Sequence, residues 1–209
     1  MNRGGFAPWE IVAVLSVVLV GAVVLYPVFN PPREIINRAN CPSNLKQIGL
    51  AIKMYGQDHD EKYPLVAVND AVGQNSVYGW ADALQIYLKS THLLQCPVEG
   101  QSFVQPPDPT RQGYTDYWLN LNAAGRDMRI RDNISSIIAG DGNDGQDSTN
   151  SRYHLASLPA AWQLGKSSPA HRHRGGANYG FADGHVKWLK PDEVTTAPVS
   201  EGGYTFAIQ

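Results

Sequence analysis

Side chains that commonly bind metal ions are concentrated near the C-terminus of this chain. They are His171, His173, Asp183 and His185. Imidazole and carboxylate groups are ligands that zinc and similar metals take in proteins. The alternative is a structural motif in which these side chains hydrogen-bond a tight turn. The spacing leaves both alternatives open.

A second set of candidate ligands lies in an acidic segment further upstream. Asp141, Asn143 and Asp144 carry the oxygen ligands that Ca²⁺ accepts. The segment lacks the full spacing of an EF-hand loop and has no glutamate at the twelfth position. We therefore expect no resident cofactor, and calcium or another metal remains an alternative.

The sequence contains no catalytic signature that would indicate an enzyme. It has no Ser-His-Asp set in a nucleophile-elbow context, no Gly-rich phosphate loop and no His-Glu-x-x-His. The net charge of -2 does not suggest a polyanion-binding protein, and the basic residues of segment 171–174 are few. We expect a protein that is not an enzyme, and we do not expect it to bind nucleic acid.

The N-terminal stretch is strongly apolar. Residues 7–29 contain Glu10 as their only charged side chain. At about 1.5 Å per residue, such a run can cross a bilayer core of roughly 30 Å. No small-x-small cleavage site follows it, as a secretory signal peptide would require. We predict a membrane-anchoring helix in which a buried carboxylate needs a partner.

Both cysteines, Cys41 and Cys96, follow the apolar run. On an oxidising side of the membrane, a disulfide between them is the natural interpretation. Closing a loop of that length would contribute on the order of 4 kcal/mol in the chain-entropy model. The alternative is a pair of buried free thiols.

The residues after the anchor predict a second helix. Asn-Pro-Pro at 30–32 should stop a regular helix, and helix signals resume at 33–40. They pause at Pro42 and continue from Ser43, which is a suitable N-cap. The apolar face repeats at helical spacing, and the helix should end between 56 and 60. This face consists of Leu45, Ile48, Ile52 and Tyr55.

The chain is rich in Gly (20) and Pro (14), which favours a loop-rich β or α+β domain outside the cell. We predict a short helix over 80–88, a surface loop over 99–113 and irregular chain over 148–170. Strands are predicted over 114–122 and 134–139.

Asp183-Gly184 between alternating apolar residues predicts a hairpin with a two-residue type I′ turn. In the register of that turn, alternate residues of the two strands share the core face. This core face consists of Tyr179, Phe181, Val186 and Trp188. The opposite face consists of Asn178, Gly180 and Lys187.

The N-terminal segment resembles the cleavage and methylation segment of type IV pilins and type II secretion pseudopilins. In that family, prepilin peptidase cuts between Gly and Phe, and the new amino group is methylated. A Glu four residues on neutralises the amino terminus of a neighbouring subunit. The resemblance implies cleavage between Gly5 and Phe6 and this assembly role for Glu10. Pro8 departs from the usual pattern but is tolerated in a first helical turn.

Pilin helices also carry a proline where this chain has Pro27. The resemblance implies that the segment from Gly21 to Pro27 loses helicity when subunits pack. A simple proline kink is the alternative.

Two further strings are similar to a planctomycete-type pilin-like group. One is Cys-Pro-Ser-Asn-Leu-Lys-Gln-Ile-Gly-Leu-Ala at 41–51. The other matches the group's motif of His, nine residues and Asp-Gly. It consists of His173, Asp183 and Gly184, and the agreement extends to Asn178, Phe181 and His185.

The resemblance implies an α+β fold with an N-terminal transmembrane and assembly helix and a pilin-like head containing an antiparallel β-sheet. The expected organisation is a leader (1–5), the assembly helix (6–29), a helical extension packing on the head (30–60) and the head (61–209). The last of these contains the hairpin 177–189.

The implied function is that of a structural subunit of a type IV pilus-like or type II secretion pseudopilus-like filament. Its partners would be further copies of itself, prepilin peptidase, the assembly machinery and, before assembly, the membrane. It would sit in the bacterial inner membrane with an extracytoplasmic head, then in a periplasmic or cell-surface filament. The alternative is a non-polymerising, membrane-anchored extracytoplasmic binding module.

Overall fold

The computed structural model describes residues 8–29, 33–67, 78–98, 108–129, 134–145, 148–199 and 202–208. The chain divides into two compact units, residues 1–36 and 37–209, and the second unit is called the head from here on. The junction between Gly5 and Phe6 and the Asn-Pro-Pro sequence at 30–32 lie outside the described residues.

Helix α1 spans Pro8–Phe29. Its segment Pro8–Tyr26 is long and apolar enough to cross a membrane, a property that an N-terminal signal sequence shares. The side chains described in this helix are exposed, apart from the partly exposed Glu10 and Gly21. The predicted apolar helix is therefore present, and its surface is hydrophobic over Pro8–Tyr26.

Helix α2 spans Arg33–Asp58 and runs through Pro42, so the predicted pause there is wrong. A proline inside a helix removes one backbone hydrogen bond. Burial of Cys41 and Leu45 on either side of Pro42 offsets this loss. The predicted apolar face is confirmed by the burial of Ile48 and Ile52, and the helix ends within the expected range.

The remaining elements are short. Helices α3 (Trp80–Ala83) and α4 (Ala160–Leu164) are accompanied by 3-10 turns at Thr91–Leu94, Pro169–His171 and Pro191–Glu193. The helix predicted over 80–88 continues only as turns beyond Ala83. The segment 148–170, predicted to be irregular, contains a two-residue strand besides α4. The strands are β1 (Tyr117–Asn120), β2 (Ile137–Asp141), β3 (His154–Leu155), β4 (Ala177–Phe181), β5 (Val186–Leu189), β6 (Val194–Thr195) and β7 (Tyr204–Thr205).

Five strands form a sheet in the order β3-β1-β2-β4-β5, and β6 pairs with β7. The β1–β2, β2–β4 and β4–β5 pairs are antiparallel, and the β1–β3 pair is parallel. The expected α+β fold with a mainly antiparallel sheet is confirmed.

Both faces of the sheet are covered. On one face, Leu119 and Ile138 join the core that contains the buried residues of α2. On the other face, Trp118 stacks on Phe206 with ring centroids 5.1 Å apart. A Cβ atom at Gly140 would lie 2.1 Å from the Trp118 ring, so only glycine fits beside this indole. Burial on both faces explains why the central strands are almost wholly apolar.

The hairpin of β4 and β5 is present, and Tyr179 and Phe181 share a buried face as predicted, but the predicted turn and the predicted face of β5 are wrong. Tyr179 pairs with Lys187 and Gly180 with Val186, one residue away from the predicted register. The loop is Ala182–Asp183–Gly184, in which the Gly184 N–H donates to the Phe181 carbonyl at 2.9 Å.

Gly184 alone of these three residues has a positive φ, +95°. This arrangement is a type I turn followed by a left-handed glycine, which also suits an Asp-Gly sequence. Because a shift of one residue exchanges the faces of a strand, Trp188 leaves the predicted core face and is 40% exposed.

Candidate functional site

A buried polar cluster lies where the end of β2 meets the loop before β4. The Nε2 atom of His173 is 2.8 Å from Oδ2 of Asp141, and the two side chains are 7% and 1% exposed. A carboxylate this deeply buried is stable only when it is paired and hydrogen-bonded. The imidazole is therefore a structural partner of Asp141.

Asn178, on the neighbouring strand, completes the hydrogen bonding of this carboxylate. Its backbone N–H donates to Asp141 Oδ1 at 2.9 Å, and its side-chain amide donates to Oδ2 at 2.6 Å. Both oxygens of Asp141 thus accept hydrogen bonds from the protein. The carboxylate is fixed in one orientation by groups from two segments.

The disulfide lies beside this pair. Cys41 of α2 is bonded to Cys96, in agreement with the prediction. The Sγ atom of Cys96 is 3.8 Å from His173 Nε2. The Tyr117 hydroxyl donates to the Cys41 carbonyl at 3.4 Å, so β1 also contacts this end of the cluster.

A second buried carboxylate, Asp116, borders the cluster. Its oxygens accept hydrogen bonds from the Cys96 backbone N–H and from the Asn143 side-chain amide, both at 2.8 Å. Burial raises the pKa of Asp116 to about 6; these hydrogen bonds oppose the rise, and the charge of Asp141 adds to it. The cluster thus contains an acid that changes its protonation in mildly acidic solution.

The two ends of the predicted His-Asp-Gly motif do not meet. His173 precedes β4, and Asp183 lies in the loop that follows it, so the spacing of nine residues contains one strand. Asp183 Oδ1 accepts from the backbone and the ring of its neighbour His185, at 2.9 and 2.6 Å. Although partial burial opposes it, these bonds hold the pKa of Asp183 below its usual value.

Residues of α2 and β4 also contact the hairpin loop. Lys53 of α2 donates to the Asp183 carbonyl, and the His185 ring stacks on Phe181 with centroids 4.2 Å apart. The structural alternative for this part of the motif, hydrogen bonding of a turn, matches the observed geometry. Asp183 and His185 stabilise the loop between β4 and β5.

The other candidate ligands are dispersed. The ring of His171 contacts the Ser168 hydroxyl at 3.0 Å and lies apart from the Asp183 turn. In the acidic segment, Asp141 faces the buried cluster, whereas Asp144 is exposed near the Trp162 indole. The side-chain oxygen of Asn143 accepts from Gly145 N–H at 3.1 Å. Among the described residues, Asp141 and Asp144 thus face different surroundings and do not converge on one calcium site.

Sequence reasoning missed Asp116 and the connection between His173 and Asp141. One signal was present for Asp116, a carboxylate between aromatic residues in a segment predicted to be a strand. Charged residues are almost never fully buried unless they are paired, so this position indicated a polar network. The partner itself required the tertiary structure.

The described residues of the assembly segment are consistent with an anchor. Glu10 is in the first turn of α1, Gly21 is in its interior and Pro27 is near its end. The helix is continuous from Gly21 to Pro27 in the isolated chain. The loss of helicity on packing stays a prediction.

Together these features define an α+β protein with an N-terminal apolar helix and a disulfide-linked head. Residues 31–95 match the model of a family described as a protein of unknown function, DUF1559, whose members are planctomycete pilin-like proteins. The match covers less than half of the chain and includes the string at 41–51 that carries the resemblance. No curated protein and no solved structure matches the chain.

Proposed function

We propose that this protein is a structural subunit of a type IV pilus-like or type II secretion pseudopilus-like filament. The observation that carries the proposal is the surface of α1, which is apolar over Pro8–Tyr26 with Glu10 as its only charged side chain. Such a helix is suited first to a bilayer and then to packing among identical helices. Its role is assembly and not catalysis.

Glu10 supplies the register in this proposal. In the low-dielectric environment of a helix bundle, a carboxylate is stabilised strongly by an opposite charge. Prepilin peptidase would cut between Gly5 and Phe6, and the new amino terminus of one subunit would pair with Glu10 of another. Each added subunit would thereby be placed at a fixed axial position.

The structure of the head is compatible with this assignment because the head has its own covalent link and hydrophobic cores. The disulfide joins α2 to the turn that follows a 3-10 helix, and both sheet faces are buried. The family match begins at residue 31 and covers the whole of α2. These features favour a stable head attached to an anchoring helix.

The test is mass spectrometry of the native protein together with electron microscopy of material sheared from cells that produce it. We expect a mature chain that begins at methylated Phe6 and filaments that contain it. An intact Met1 with no filaments would contradict the proposal and favour the non-polymerising, membrane-anchored module. The comparison requires the same preparation from cells lacking prepilin peptidase, in which the chain should remain unprocessed.

A further inference from the structure

Four side chains that can bind metal converge inside the head. They are Cys41, Cys96, Asp141 and His173, and all are buried. Each offers a ligand atom within 4.8 Å of the others. The two sulfurs are bonded to each other in this structure. Reduction of that bond would give two cysteine thiols, which can bind a metal ion as thiolates.

We propose that the reduced head binds Zn²⁺ at this position, through both cysteine thiolates, the His173 imidazole and the Asp141 carboxylate. Zinc accepts sulfur, nitrogen and oxygen ligands in tetrahedral sites. Soft thiolates select zinc over calcium or magnesium. The disulfide and the metal exclude each other, so the site depends on the redox state of the chain.

The two sulfurs must separate once their bond is reduced, and the other observed distances need only small changes to hold the ion. In a tetrahedral zinc site, sulfur and nitrogen ligands lie roughly 3.6 Å apart and two sulfurs about 3.8 Å apart. Cys96 Sγ is already 3.8 Å from His173 Nε2. The 2.8 Å separation of His173 Nε2 and Asp141 Oδ2 would widen to roughly 3.4 Å as the ion replaces the proton between them.

The groups around the cluster would orient its ligands. Asn178 donates two hydrogen bonds to Asp141, and Asp116 accepts one from the Cys96 backbone N–H. Outer-shell bonds of this kind fix ligand orientation in metal sites and are worth about 10–100-fold in affinity. The cluster is therefore supported on more than one side before any ion enters.

The chemistry is balanced by a dithiol or phosphine reductant. Two electrons open the sulfur–sulfur bond and two protons give two thiols. A dithiol is oxidised to its disulfide, or a phosphine takes an oxygen atom from water and becomes the phosphine oxide. Zn²⁺ then displaces both thiol protons to the solvent, the proton on His173 Nε2 moves through the solvent to Nδ1, and Nε2 of the neutral imidazole binds the ion. In the reduced protein, which lacks the disulfide, the ion would connect the four segments that carry Cys41, Cys96, Asp141 and His173.

The experiment uses the full-length protein in detergent, oxidised or reduced with a phosphine, and titrated with Co²⁺ as a spectroscopic probe. We expect thiolate-to-cobalt charge-transfer absorption and the visible bands of tetrahedral Co²⁺ in the reduced protein alone. Zn²⁺ should bleach these bands and raise the Tm of the reduced protein but not that of the oxidised one. Absence of the bands, or no Zn²⁺ effect on the reduced protein's Tm, would overturn the proposal.

Variants show whether the folded cluster binds the ion. His173→Gln should weaken Co²⁺ binding by at least about tenfold, the loss found even for outer-shell groups. The matched control is His171→Gln, because His171 contacts Ser168 and lies outside the cluster. If His173→Gln does not fold, the comparison of oxidised and reduced wild-type protein still shows whether the reduced protein binds the metal ion. Equal affinity in both variants would exclude His173 as a ligand.

Discussion

His173 Nε2 lies 2.8 Å from Asp141 Oδ2, and this contact connects the loop before β4 to the end of β2. The histidine of the His-Asp-Gly motif is therefore paired with a residue outside the motif. The aspartate of the motif, Asp183, accepts hydrogen bonds from His185 in the hairpin loop at the opposite end of β4. One sequence motif thus contributes two separate structural contacts.

Replacing His173 should cost more stability than replacing His185. His173→Ala leaves the buried carboxylate of Asp141 without its imidazole partner, a loss of about 1.5–3 kcal/mol for a hydrogen bond to a charged group. His185→Ala removes a partly exposed contact worth about 1 kcal/mol or less. Denaturant unfolding of the oxidised full-length protein measures both. Equal losses of unfolding free energy would show that the His173–Asp141 contact stabilises the protein no more than the His185–Asp183 contact does.

The disulfide should contribute substantially to the stability of the head. It closes a separation of 55 residues, for which the chain-entropy model gives about 4 kcal/mol. A Cys41→Ser, Cys96→Ser double variant should lose an amount of this order. Reduced wild-type protein in the presence of a chelator is the control, since it lacks the same bond without a substitution. An unchanged unfolding midpoint would contradict the prediction.

Asp116 should make stability fall as the pH rises through mildly acidic values. Its pKa is about 6 in the folded protein and 3.8 in the unfolded chain, so the folded state retains the proton between these values. The contribution of this group is greatest below about pH 4 and is lost by about pH 6. A difference of about two pH units corresponds to about 3 kcal/mol.

Asp116→Asn should remove this part of the pH dependence. Unfolding is compared at several pH values for the oxidised wild-type and variant proteins. Asp192→Asn, at an exposed position, serves as the control. If Asp116→Asn and wild type change in parallel between pH 4 and 6, the carboxyl does not titrate as expected.

Two glycine substitutions should have opposite effects. Gly184→Ala places a Cβ at a φ of +95° and 2.8 Å from Lys53 Nζ, so we expect a loss of about 1–2 kcal/mol. Gly49→Ala lies in α2 with nothing within 4 Å of the new Cβ. It should stabilise by about 0.5–1 kcal/mol through helix propensity. Thermal unfolding of both variants tests the sign of each change.

Glu10→Ala should abolish filaments while leaving the head folded, because the substitution removes the charge that the proposed amino-terminal pair requires. Ser16→Ala is the matched control in the same helix, since its hydroxyl donates to the nearby Ala13 carbonyl. Electron microscopy measures filament number, and near-ultraviolet circular dichroism measures the head. Normal filaments from Glu10→Ala would remove the role assigned to this carboxylate.

Local patterns predicted the elements that depend on local physics. The composition of 7–29 was sufficient for α1, and the helical spacing of Leu45, Ile48 and Ile52 was sufficient for the buried face of α2. The Asp-Gly pair predicted a hairpin. These features follow from backbone geometry and from the removal of apolar side chains from water, both of which are visible within a short window.

The turn type could not be decided in the same way. An Asp-Gly sequence suits both a two-residue loop and the three-residue loop that is observed. The packing of the two strands on the cores determines that the three-residue loop forms. In the observed register, Val186 joins the core on the α2 side, while Tyr179 and Phe181 join the core on the other face.

By itself, the sequence determined that the protein has an apolar N-terminal helix, a second amphipathic helix, two cysteines suited to a disulfide and a C-terminal hairpin. Only the tertiary structure decided that His173 meets Asp141 beside that disulfide and that Asp116 is buried next to them. The reason is physical. The hydrogen-bond partner of a buried polar group comes from any segment that the fold brings within hydrogen-bond distance. Such pairings follow no periodic pattern in the sequence, so they cannot be predicted from it.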